Sequence, residues 1–313
     1  MPYKIIFMGT PQFSVPVLEA LAKSTYQISC VYTQSPKKSN RGQKLNPSPI
    51  QNSAENLKLV IRNPNNLNTE EELKFFKEVN PDIVVVVAYG QLISKKFLDV
   101  PIKGFINIHA SLLPKWRGAA PIQRAIMNLD KQTGISIMKI TEGLDSGPVM
   151  KKITVDIIPS DTSKIISEKL SKIGSQYIVE ALDSIFNNKD KFVAQNHRNA
   201  TYAKKIKKNE GKINWEESAK NIIGKINGLN PDPGSWFEYK KIRYKIWKAS
   251  MFDKRGTTGT ILDNNFIIAC KDKSIKIIEI QREGKNKLLL ENFLLGINFK
   301  IGDTIEYCLP IKL

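Results

Sequence analysis

FINIHASLLPKWRGAAP, residues Phe105–Pro121, decides how the rest of the 313-residue chain is read. Ile106 and Ile108 alternate with Asn107 and His109, so a strand of period two carries amide and imidazole on one face. Ser111–Pro114 then make a tight polar exit, Trp116, Arg117 and Gly118 sit in the connection, and a helix is expected over 121–129. A hydrogen-bond donor and a proton carrier near the carboxyl end of a strand suit an open α/β sheet, which holds its ligands at that edge.

Outward from this stretch, strands and helices alternate. Lys4–Met8 is a short apolar run closed by Gly9, followed by helical spacing through Val15, Leu18 and Leu21, and Ile28–Tyr32 reads as a second strand. Thr69 with Glu72 three residues on opens a helix carrying Leu73, Phe76 and Val79, which Asn80 and Pro81 close. Ile83–Ala88 lacks polar alternation, as expected of a parallel strand covered on both faces. Gly134–Ile140 is a further strand. It leads into TEGLDSGP, 141–148, where Gly143 and Gly147 bracket Asp145. A long helix is expected over 161–186 with Ile166, Leu170, Ile173 and Tyr177 inward. The prediction for 1–190 is a doubly wound, mostly parallel α/β sheet.

Beyond Asn187 the pattern changes. Residues 191–208 show little apolar periodicity and end in AKKIKK, a basic linker. A short helix near 216–227 precedes closely spaced strand candidates at 235–239, 242–248, 259–262, 266–269 and 274–280, which predict a smaller closed sheet or barrel over 209–313.

Forty-eight Lys and Arg against 30 Asp and Glu give a formal charge of +18. Residues 191–313 hold 24 basic and 13 acidic residues, so the second part is the more basic per residue. The excess points to an anionic partner, although a general preference for Lys and Asn would produce it too. Cys30, Cys270 and Cys308 are odd in number and far apart, which indicates neither a disulfide framework nor a zinc site. The strongest apolar run, Ile83–Ala88, is too short to span a bilayer, and the first ten residues turn polar too early for a signal peptide. A cytoplasmic, metal-free monomer is expected.

There are two histidines. His197 lies in a polar stretch and reads as a surface residue. His109 follows an apolar strand, has Asn107 on its face and is expected near Asp145. Those three types suit attack on an acyl carbon: an amide donates to the developing oxyanion, an imidazole moves protons or stabilises the same oxygen, and a carboxylate orients the imidazole. Ser111 lacks a nucleophile-elbow context, so direct transfer to an incoming nucleophile fits better than an acyl-enzyme.

The segments MGTPQFS (8–14), RGQKLNPSPI (41–50), VVVAYGQLI (85–93), INIHASLLPKWRGAAPIQRAI (106–126), GLDSGPV (143–149), TYAKKI (201–206) and WKAS (247–250) are similar, in order, to the folate-dependent formyltransferases. The two-part layout and TYAKKI narrow the resemblance to those that formylate methionyl-tRNA. It implies a Rossmann-like first domain, an oligonucleotide-binding-like (OB-like) barrel as the second, and Asn107, His109 and Asp145 as the catalytic trio. By the same implication 10-formyltetrahydrofolate is the formyl donor, Ser111, Leu112, Leu113 and Pro114 form the folate-site motif, and the acceptor is the α-amino group of methionine on initiator tRNA. Asn107 and His109 would stabilise a tetrahedral intermediate while Asp145 tunes His109. The loop over 34–49 would reach the acceptor stem, with Arg41 matching the family's arginine there, and Lys205 would match a linker lysine near the tRNA end. Ala110 stands where Gly is usual before SLLP, Gln43 where a basic residue is common, and Asn40 where Gly is common.

Three other readings compete. A small amine acceptor, such as an amino sugar nucleotide or glycinamide ribonucleotide, would not require the basic second domain. A non-catalytic RNA-binding protein would have no chemical use for the trio. A nucleotide-cofactor dehydrogenase wants a GxGxxG turn, and Gly9 stands alone.

Overall fold

The computed structural model describes residues 2–39, 44–297 and 299–305. Arg41, with Asn40, Gly42 and Gln43, lies outside them, as does Cys308. The described chain divides into two compact units, the first formed by residues 1–121, 133–155 and 167–203 and the second by 122–132, 156–166 and 204 onward.

A seven-stranded sheet organises the first unit in the order Val149–Asp156, Gln132–Lys139, Phe105–His109, Ile83–Val87, Lys4–Gly9, Gln27–Tyr32, Ile61–Arg62. Its middle is parallel: Lys4–Gly9 pairs with Gln27–Tyr32 on one side and Ile83–Val87 on the other, and Ile83–Val87 pairs with Phe105–His109. All five residues of Ile83–Val87 are buried. β-Branched side chains suit that place, where both faces meet packed neighbours. After Lys4–Gly9 the chain first builds one flank and then crosses to the other. The carboxyl ends at Gly9, Val87 and His109 therefore open at a switch in strand order, where such sheets bind ligands. Polar staples fix these ends: Thr10 Oγ1 donates to the Tyr89 carbonyl at 2.7 Å, and Gln34 Nε2 donates to the same oxygen at 3.1 Å.

Gln132–Lys139 lies beside Phe105–His109 but runs antiparallel to it, with Ser136 opposite His109 and Met138 opposite Asn107. At Gly147, in the loop that follows, a Cβ would come within 2.0 Å of the Lys139 carbonyl, so no larger residue fits this backbone path.

The Thr69 cap forms as expected, its side chain accepting from the Glu72 N–H, and Asn80 ends the helix Glu70–Val79 in the left-handed region. The helix Ser163–Phe186 departs from its expected face. Its buried stripe runs through Ile166, Leu170, Gly174, Ile178 and Ile185, while Ile173 and Tyr177 are only half-buried. Gly174 is the reason: a Cβ there would lie 3.3 Å from Ile108, so the helix meets the sheet at a residue that carries no hydrophobic signal. Helix Pro49–Asn56 and strand Val149–Asp156 are absent from the sequence reading. Ser48 capping Gln51 with Pro at the first turn was the signal for the helix. The strand is at a sheet edge, where Lys151 and Lys152 interrupt apolar alternation.

The second unit carries a five-stranded antiparallel sheet of Ser235–Tyr239, Ile242–Phe252, Ser274–Arg282, Ile267–Ala269 and Lys287–Leu289. Bridges at Thr260–Thr304, Ile261–Ile268 and Lys212–Trp236 extend it into a small barrel-like fold. Ser235–Tyr239 alternates buried and half-buried residues, sending Phe237 and Tyr239 into an aromatic core with Tyr244, Phe266, Phe293 and Phe299. The helix Ala219–Gly228, capped by Ser218, covers that core with Ile222 and Ile226. Cys30 and Cys270 are free thiols, and burial pushes both up to about 12, so neither is poised as a nucleophile.

Candidate active site

His109 closes its strand and is 6% exposed. Nε2 lies 2.9 Å from the Trp116 carbonyl, and Nδ1 faces Asp145 Oδ2 at 3.6 Å, an ion-pair distance rather than a hydrogen bond. The Trp116 carbonyl can only accept, so Nε2 is the donor in that contact. Asp145 is held at two points. Its Oδ2 accepts the Gly118 N–H at 2.8 Å, and its carbonyl accepts Gln195 Nε2 at 2.8 Å, with its own backbone in the left-handed region at φ 44°. Asn107, two residues before His109 on the same strand face, is half-buried, and its amide makes no hydrogen bond among the described residues. The structure thus brings His109 and Asp145 together as an oriented imidazole and an anchored carboxylate, and leaves Asn107 on the same strand with its amide donors unspent.

The Ser111–Pro114 turn separates into anchors and faces. Ser111 and Leu113 are fully buried. Ser111 Oγ donates to the Lys115 carbonyl at 2.6 Å, Ser136 Oγ donates to the Ser111 carbonyl at 2.7 Å and accepts the Leu113 N–H, and Leu113 packs with Met138 and Val149. Leu112 and Pro114 are half-buried and are the members of the turn with surface left for a ligand.

Sequence reasoning missed two polar residues here. Arg117, 3% exposed, donates Nε and Nη2 to Gln195 Oε1 at 3.1 and 2.7 Å, with Nη2 also 3.2 Å from His197 Nδ1. Gln195 is itself buried and spends its amide on the Asp145 and Gly147 carbonyls. Residues Arg117–Gly118 pair with Tyr202–Ala203 as a short parallel ladder. Nothing periodic marks Gln195, because its burial comes from this pairing and not from its own segment. His197 is exposed, as expected.

In the second unit, Lys205 is exposed within a basic segment that a partly buried clasp pins. Arg124 donates Nη1 to Glu210 Oε2 at 2.7 Å and Nη2 to Oε1 at 3.1 Å, and its Nε reaches the Lys204 carbonyl. Glu210 Oε1 also accepts the Lys207 N–H at 2.7 Å. The Arg124 hydrogen bonds hold the Glu210 carboxyl below the ordinary carboxylate range. A depressed carboxyl contributes stability above its unfolded pKa of about 4.3 and loses it as pH falls through the folded value. Glu210→Gln at neutral pH is therefore expected to cost about 1–2 kcal/mol. Tryptic cleavage after Lys204, Lys205, Lys207 or Lys208 should accelerate several-fold, and cleavage at the wild-type rate would show that the clasp does not order the segment.

Residues 3–182 match the formyl transferase family and residues 205–298 its C-terminal domain. The chain belongs to the formyl transferase family. It is 53% identical over 307 residues to the methionyl-tRNA formyltransferase of Pelagibacter ubique, covering 97% of this chain and 99% of that one. It is 42% identical to the Mesorhizobium japonicum protein of the same name over 315 residues, covering 96% and 99%. Among solved structures, the N-formyltransferase of Helicobacter canadensis in complex with folinic acid and dTDP-3-aminofucose superposes with a TM-score of 0.67 at 20% identity, covering 90% of this chain and all of that one. That likeness concerns the fold. The sheet order and the separate antiparallel unit of this formyl transferase agree with a Rossmann-like domain followed by a smaller barrel. Among the described residues no helix is long and apolar enough to cross a membrane, and no cluster of His, Cys, Asp and Glu could hold a metal ion.

Proposed function

We propose that this formyl transferase moves the formyl group of 10-formyltetrahydrofolate to the α-amino group of methionine carried by initiator tRNA, for translation initiation. The observation that carries the reading is the near end-to-end match, at 53% identity, to a methionyl-tRNA formyltransferase, in a chain whose His109 faces Asp145 and has Asn107 two residues earlier on its strand. The half-buried Asn107 amide and the partly exposed Leu112 and Pro114 suit a formyl-folate at that edge. The donor supplies an acyl carbon already bound to a leaving nitrogen. A neutral amine attacks that carbon to give a tetrahedral intermediate with the charge on the formyl oxygen, the intermediate collapses as the bond to the folate nitrogen breaks, and the proton lost by the amine is taken up by the departing nitrogen.

In this reading Asn107 donates to the formyl oxygen as negative charge develops there. His109 stabilises the same oxygen or carries the proton, and Asp145 holds the ring in place. Ser111 and Leu113 build the folate side from behind, and Leu112 and Pro114 face it. Residues 1–190 carry the chemistry, 191–208 connect, and 209–313 hold tRNA through phosphates rather than bases. Lys205, and Arg41 from outside the described residues, are assigned to tRNA binding in this reading. The setting is the cytoplasm, and the working unit is a monomer.

The test is formyl transfer to methionyl initiator tRNA, elongator methionyl-tRNA and an amino sugar nucleotide in parallel. Transfer to the initiator alone is expected, with apparent affinity falling roughly 10-fold or more between about 50 and 200 mM salt. Transfer to the amino sugar nucleotide and not to tRNA would overturn the acceptor while leaving the trio intact.

A further inference from the structure

We propose that Gln195 is a positioning residue for formyl transfer: its amide, oriented by the buried Arg117, holds the Asp145–Gly147 turn where His109 needs it. The proposal rests on the catalytic roles given above to His109 and Asp145.

The bonding leaves little choice of orientation. Both Arg117 donors converge on Gln195 Oε1, and a guanidinium has no acceptor, so the amide oxygen must face it. Both amide hydrogens then point the other way, onto the carbonyls of Asp145 and Gly147 at 2.8 and 2.7 Å. One side chain thereby uses its oxygen and both its N–H groups, buried, on one job. No carboxylate among the described residues pairs with Arg117; its contacts go to the Gln195 oxygen and to His197 Nδ1, and the two on the oxygen polarise the amide. A polarised amide is the stronger donor toward the turn.

The turn needs such a hold. Asp145 sits at φ 44°, a region non-glycine residues enter at a cost of about 1 kcal/mol or more. Among the described residues its carboxylate has one hydrogen bond, from the Gly118 N–H, and that donor belongs to the residue after Arg117. Arg117 and Gly118 therefore grip the turn twice: Gly118 directly at the carboxylate, and Arg117 through Gln195 at the main chain. If the second grip is released, the carboxylate can swing about the first, and the 3.6 Å separation from Nδ1 is no longer set. Sub-ångström placement of this kind separates an active constellation from a loose one.

Gln195→Glu keeps an oxygen for Arg117 but cannot donate to either carbonyl, and Gln195→Met, of similar length, removes all four bonds and guards against a folding failure of the first. In both, kcat is expected to fall 10- to 100-fold with KM for the formyl donor within about twofold of wild type. In an Asp145→Ala background either substitution should cost less than threefold more, because Gln195 acts through Asp145. Wild-type kcat in both variants, or losses that multiply in the double variants, would overturn the proposal. A second readout does not depend on the acceptor. With only two histidines in the chain, the His109 ring resonances can be assigned with His109→Ala and should move in Gln195→Glu. Unmoved resonances would refute the positioning role. An inactive wild-type enzyme would instead overturn the acceptor reading and leave this readout to decide.

Discussion

His109→Ala is expected to lower kcat for formyl transfer by about 10³- to 10⁴-fold, and Asn107→Ala by about 10²- to 10³-fold, with the fold and tRNA binding retained. The second figure is that of a single oxyanion donor removed from a preorganised site. The first is larger because His109 can both oppose the developing charge and carry the proton. Neither side chain supports the sheet. Asn107 makes no hydrogen bond among the described residues, and His109 Nε2 meets a single carbonyl, so truncation leaves the buried Ile106 and Ile108 and the pairing to Ile83–Val87 and Gln132–Lys139 untouched. Single-turnover rates with saturating enzyme separate loss of chemistry from loss of binding. Normal turnover in both variants would remove the trio from the mechanism.

What was legible in the sequence follows from what each element must bury. Ile83–Val87 announced a doubly covered strand because five β-branched residues in a row have no other stable use. Asn107 and His109 were readable because the period of a strand is two. Asp145 was readable as a nearby residue only: its strand lies beside that of His109 as expected, but its antiparallel direction and the loop's return to the imidazole are tertiary facts. Gln195 was not readable, since it lies in a polar segment and gains its meaning from Arg117, 78 positions away. The face of Ser163–Phe186 was misjudged at Gly174 for the converse reason, because the closest approach to the sheet requires the residue with the least hydrophobic signal. The site was thus legible where strand periodicity alone places a side chain, and opaque where side chains hold each other.

Asp145→Asn separates charge from shape at this site and is expected to lower kcat about 10²-fold with unchanged stability. Asparagine keeps an oxygen for the Gly118 N–H and the same length, so the turn held by Gln195 stays closed. What disappears is the negative charge 3.6 Å from Nδ1. Opposite unit charges about 4 Å apart attract by about 4 kcal/mol at an effective dielectric of 20, and a loss of roughly two-thirds of that corresponds to about 10² in rate. Asp145→Ala should be worse, because it also removes the acceptor of the Gly118 N–H. The ordering decides between two roles. If Asn is within threefold of wild type while Ala is strongly impaired, Asp145 matters as the hydrogen-bonded peg of the loop, and the field at His109 is not part of the chemistry. If Asn is impaired as predicted, the carboxylate acts on the ring by its charge, and the Arg117–Gln195–Asp145 chain exists to keep that charge at a fixed distance.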